Sequence, residues 1–155
     1  MNNFLFLLLL LVAFLYCSGA GAATPMAKQQ RRPGFLFTRN RGRCTPQYWS
    51  SRREAWLRMV PEMSTVSKVF GSRAYERYRY DLTLLEAASR NDDGDDVFAS
   101  LVKESTAALL NSYARKPHFP FTAWEVKTRL IQALVSKEAA AKQAQSFADA
   151  NQACN

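Results

Sequence analysis

From Cys44 onward, apolar residues recur at intervals of three and four, and no run alternates convincingly with period two, so the pattern predicts helices and no strands. Tyr48, Trp49, Trp56, Leu57 and Val60 share one broad helical face, and residues 65–70 form a short second apolar segment closed by Gly71. Residues 81–89, DLTLLEAAS, predict a short helix with Leu84, Leu85 and Ala88 turned inward. A stronger helix begins at Asp96, with Asp95 as its N-cap. In it Phe98, Leu101, Val102, Ser105, Leu109 and Tyr113 keep the amphipathic rhythm of a central element. Pro117 and Pro120 interrupt the chain. Thr122 and Glu125 then make a capping box, with Phe121 and Val126 spaced for a hydrophobic staple and Val126, Leu130, Ala133 and Leu134 as the buried stripe. A last helix over residues 137–151 offers a narrow face of Ala140, Ala144, Phe147 and Ala148. The expected fold is a small all-α bundle of about five helices.

The front of the chain follows different rules. Residues 4–16, FLFLLLLLVAFLY, are continuously apolar and lead into Cys17, Ser18, Gly19, Ala20, Gly21 and Ala22. A short apolar run before small-x-small residues is the pattern of a signal peptide, cut after Ala22. The alternative is a retained anchor, because no charge appears before Lys28. The layout is then a leader over 1–22, a basic flexible arm over 23–43 and a folded domain over 44–155. With cleavage no membrane span remains, and the protein is exported.

Composition adds a bound and a bias. The chain has 155 residues, 48% hydrophobic and 22% charged, which suits one globular domain and excludes a large multidomain enzyme. The net charge is +8, and it is uneven. Nine basic residues precede residue 61 with Glu54 alone opposing them, while the rest of the chain balances. Arg31, Arg32, Arg39, Arg41, Arg43, Arg52 and Arg53 are therefore candidate polyanion-binding residues, suited to polyuronates, anionic lipid head groups or an acidic protein. Arginines interleaved with aromatic rings, as in Tyr48, Trp49, Arg52, Arg53 and Trp56 or Arg73, Tyr75, Arg77 and Tyr78, can also stack on nucleic acid. Helical spacing favours rings in the core, and export makes nucleic acid an unexpected partner.

Catalytic chemistry finds little support. Once Cys17 leaves with the leader, Cys44 and Cys154 are the only intramolecular pair available in an oxidising compartment, and their bond would clasp the first helix to the last. His118, the single histidine, lies between prolines in a turn and has no clustered ligands for zinc. Residues 91–96, NDDGDD, fail as an EF-hand: setting Gly94 at the sixth position puts Ser89 at the first and Ser100 at the twelfth. No catalytic residue, metal or cofactor is expected.

An ordered set of residues carries a resemblance. Cys44, Tyr48-Trp49, Trp56, Phe70-Gly71, Leu84-Leu85, residues 108–111 ending in Asn111, Phe119-Pro120-Phe121-Thr122 with Val126, and Phe147 with Ala150-Asn151 are similar to the C-terminal domain of plant protodermal factor 1-like proteins. The resemblance covers roughly residues 44–154. It implies a secreted, cell-wall-associated plant protein of epidermal or surface tissue without established catalytic activity. Such proteins carry a long proline-rich region before the domain; here only Pro25 and Pro33 lie in the arm.

The expected function is a non-catalytic module of the wall or apoplast whose arm holds acidic polysaccharide. A basic antimicrobial or membrane-disturbing protein is the alternative. A hydrolase would need a pocket joining His118 or paired carboxylates.

Overall fold

The computed structural model describes residues 42–91 and 96–154, all within one compact unit. The expected leader and most of the arm, including Arg31, Arg32, Arg39 and Arg41, lie outside these residues, as do Asp92, Asp93 and Asp95. Six α-helices follow in order: α1 Pro46–Ser51, α2 Val66–Phe70, α3 Leu84–Ser89, α4 Val97–Ala114, α5 Ala123–Ala133 and α6 Lys137–Ala153. Short 3-10 turns span Arg53–Ala55 and Ser72–Glu76. Among the described residues there is no strand, only an isolated bridge between Thr65 and Thr83. The all-α expectation holds, and no described helix is long and apolar enough to cross a membrane.

Helix starts are fixed by side-chain caps. Thr45, Thr65, Thr83, Asp96, Thr122 and Ser136 each accept a backbone N–H from the first turn of the helix that follows. Both Thr83–Glu86 and Thr122–Glu125 are complete capping boxes. The carboxylates reach back to the cap N–H, and those bonds hold Glu86 and Glu125 below the usual carboxylate range. Asp96, rather than Asp95, caps α4 by accepting from Phe98 and Ala99 N–H. Gly71 ends α2 at φ 120°, ψ 162°, a region that residues with a Cβ rarely enter.

The first helix is shorter than its apolar spacing predicts. Ser51 Oγ donates to the Gln47 and Tyr48 carbonyls, and Trp56 Nε1 donates to Trp49 O at 2.6 Å. Side chains thus take carbonyls at the C-terminal end of α1, and the chain leaves α1 at Arg52 (φ −119°, ψ 66°). Val60 still reaches the core, on a turn instead of a helix.

α4 is the central element, buried on several faces rather than along one stripe: Leu101, Val102, Ala107, Ala108, Leu109 and Leu110 are all fully enclosed. Asp96, Val97, Ser100 and Glu104 of its N-terminal half line a groove with Ala141, Ala144, Gln145 and Ala148 of α6. The two helices therefore run parallel, with α5 returning between their ends. Small residues at Ala140 and Ala144 permit this packing, as their spacing predicts; Leu85 and Ala148 are only half-buried.

Candidate functional site

The residues carrying the strongest sequence signal converge where α1, α4 and α6 meet. Cys44 and Cys154 are joined by a disulfide, with their Cα atoms 5.8 Å apart and both residues buried. Beside it lies a chain of buried amides. Trp49 Nε1 donates to Asn111 Oδ1 (2.9 Å), and Asn111 Nδ2 donates to the Cys44 carbonyl (2.7 Å) and to Asn151 Oδ1 (2.8 Å). Asn151 Nδ2 in turn donates to the Glu104 carbonyl and to Glu104 Oε2, at 3.1 and 2.8 Å.

Chemistry fixes the direction of this relay. An indole N–H can only donate and a backbone carbonyl can only accept, so the Asn111 amide has one satisfactory orientation between Trp49 and Cys44. Asn151 must then present its oxygen to Asn111 and its nitrogen to Glu104. Burial pushes the Glu104 carboxyl above its usual range, although the Asn151 amide and Lys103 pull the other way. Satisfied in this way, buried amides specify a packing arrangement and leave little capacity for a ligand.

The remaining motif residues are packing partners. Tyr48 meets Trp49 edge-on at 5.2 Å, and Phe70 is buried where α2 ends at Gly71. Phe119, Phe121 and Phe147 form successive edge-to-face contacts at 6.0 and 5.4 Å, with the Arg129 guanidinium 4.9 Å over the Phe121 ring. Pro120 is exposed, and Thr122 serves as the cap of α5.

The described basic candidates are partly neutralised. Arg52 faces Glu54 at 3.4 Å, and Arg53 makes a two-pronged pair with Glu62 whose hydrogen bonds hold the Glu62 carboxyl below its usual range. Arg43 has no carboxylate partner among the described residues. The nucleic-acid stacking arrangement is not assembled: Trp49 and Tyr78 are buried, and Arg77 lies 4.5 Å over Phe98 while donating to Leu134 O. His118 is exposed in the turn after α4. An open hollow of about 510 Å³ is lined by Glu86 and Asp96 among others, but the Glu86 carboxylate accepts from Thr83 N–H and that of Asp96 from Phe98 N–H, so both serve helix caps. No cluster of three metal-ligating side chains occurs among the described residues.

Two features escaped sequence reasoning. Glu104 closes the amide relay, and only its polarity amid small and apolar neighbours signals that. Arg115, the residue that caps the C-terminal end of α4, has a buried Nε without a hydrogen-bond partner.

The cysteine pair also marks the limits of a family match: the model of the protodermal factor 1 C-terminal domain fits residues 44–154. The chain belongs to the protodermal factor 1 family. It is 30% identical over 112 residues to Protodermal factor 1 of Arabidopsis thaliana, an alignment covering 70% of this chain and 36% of that protein. The chain thus spans about a third of that relative's length. No solved structure matches it significantly. In this protodermal factor 1 domain the disulfide and the amide relay occupy the two ends and the centre of the matched region.

Proposed function

We propose that this protein is a non-catalytic secreted module of the plant cell wall or apoplast, acting in epidermal or surface-tissue development, with its basic arm bound to acidic polysaccharide. The observation that carries the reading is the charge layout: the surplus of +8 lies before residue 61, on and beside a segment outside the described residues. An exported polycation meeting a polyuronate gains electrostatic affinity that falls as salt rises. The domain supports a structural rather than catalytic role, because its two cysteines are bonded and its buried amides are consumed by one another. Family membership supports the developmental setting.

Retention on de-esterified pectate tests this reading. Replacing Arg31, Arg32, Arg39, Arg41 and Arg43 by Ser should abolish retention at low salt. Unchanged retention rejects the arm's role, and leakage of anionic vesicles by the wild-type protein points to membrane disturbance instead.

A further inference from the structure

A hollow between α5 and α6 differs chemically from those already described. α5 lines it with Arg129, Gln132 and Ala133, spaced by three and four along one face, and α6 lines it with the matching face of Ala139, Lys142, Gln143 and Ser146. Its volume is about 340 Å³, within the roughly 300–1,000 Å³ typical of small-molecule sites. The hollow beside Tyr78 contains Glu86 and Asp96, and the groove between α4 and α6 contains Asp96 and Glu104. Among the described residues no acid lines this third hollow, whereas two cations and three polar side chains do.

Every polar group there can donate a hydrogen bond, and Arg129 and Lys142 can only donate. Gln143 is the sharpest case. Its Nε2 is buried without a hydrogen-bond partner, which marks a place for an acceptor that the chain itself does not supply. The Arg129 guanidinium is held 4.9 Å over the Phe121 ring. Stacking occupies its flat face and leaves the in-plane N–H groups at its edge, the fork that takes a carboxylate through two bonds. The acids closest in sequence are committed to helix starts. Thr122 holds the Glu125 carboxylate, with Arg129 the weakest influence on it, and Glu138 is bound by its own backbone N–H and by Ser136.

We propose that this hollow binds a small hydroxylated carboxylate, of the size and chemistry of a sugar acid. Arg129 and Lys142 take the carboxylate, Gln132, Gln143 and Ser146 take hydroxyl oxygens, and Ala133 and Ala139 offer small apolar surface to C–H groups. A bare ion would leave most of the volume unfilled, since a water molecule's share of the liquid is about 30 Å³. A neutral sugar would leave both cations without a counter-charge. The site belongs to the folded domain alone, so it stands whether or not the arm holds polysaccharide.

The oxidised protein is titrated with monomeric galacturonate at low salt, following the side-chain amide resonances by nuclear magnetic resonance and the rise in melting temperature. Galactose and inorganic phosphate are titrated in parallel. Galacturonate should saturate and shift the Gln143 side-chain amide, while galactose leaves it unmoved. Arg129 and Lys142 are exposed, so Arg129→Gln and Lys142→Gln spare the fold, and each should weaken binding about tenfold through the loss of a hydrogen bond to a charged group. Ala139→Leu fills the hollow without changing its charge and should abolish binding. Gln143→Met should leave the free protein at least as stable as wild type, yet remove most of the rise in melting temperature that the acid produces. Galacturonate binding unchanged in both Ala139→Leu and Arg129→Gln would place the acid elsewhere and overturn the site. Phosphate binding as tightly as galacturonate would overturn the assignment to a hydroxylated carboxylate, and the absence of saturable binding by the wild-type protein would overturn it outright.

Discussion

Replacing Asn111 by Leu tests the amide relay while keeping the branched shape and the number of side-chain heavy atoms, and because Leu is the larger residue no cavity forms. It strands three buried groups: Trp49 Nε1, the Cys44 carbonyl and Asn151 Oδ1. A buried polar atom left unpaired costs about 1–3 kcal/mol, so the three together cost about 3–6 kcal/mol once local relaxation is allowed. That is a large part of the 5–15 kcal/mol typical of a whole domain. Urea unfolding of the oxidised protein, followed by near-ultraviolet circular dichroism, should show a much lower midpoint with an unchanged slope. Trp49→Phe strands only the Asn111 oxygen and should cost about 1–3 kcal/mol. Asn111→Asp keeps the shape but turns a carboxylate oxygen toward two acceptors, so it should be at least as damaging at neutral pH and should recover partly in acid. An Asn111→Leu protein within 1 kcal/mol of wild type, or an Asn111→Asp protein matching wild type, would refute the directional relay.

Other expectations follow from single features. Replacing Cys44 and Cys154 together by Ser should lower stability by about 4–5 kcal/mol, the chain-entropy value for so long a loop, seen as a fall in the denaturation midpoint. Gly71→Ala meets no neighbouring atom but forces a Cβ into an unfavourable backbone region, so it should cost about 1–3 kcal/mol in the same assay. Glu104 is a carboxyl whose folded value is raised, so its contribution is intact below the ordinary carboxylate range and is lost as the pH climbs through the raised value. Glu104→Gln should therefore flatten the loss of thermal stability between acid and neutral pH, and an unchanged profile would show that Glu104 titrates normally. Thr83→Ala and Thr122→Ala should each remove a cap worth about 1 kcal/mol, measurable as a small drop in melting temperature.

Local rules were legible where they are local. Thr122 and Glu125, four residues of sequence read in one glance, fixed the start of α5, and Gly71 fixed the end of α2. The same T-x-x-E pattern at Thr83 and Glu86 was equally readable, and it trims the predicted helix over residues 81–89 to begin at Leu84. Apolar spacing overextended the first helix because it cannot see Trp56 reaching back to a carbonyl seven residues earlier. The relay was less accessible still. Asn111 bonds to partners 40 to 67 residues away in sequence, and an asparagine inside an amphipathic pattern reads the same whether buried or solvated.

The bond between Cys44 and Cys154 makes the first and last residues of the domain covalent neighbours. A pull applied to its two ends would run through the sulfur atoms and bypass the helices, so the bundle would stay unstretched under tension along the chain. Reduction would transfer that load to the helical core and free a slack length of 110 residues.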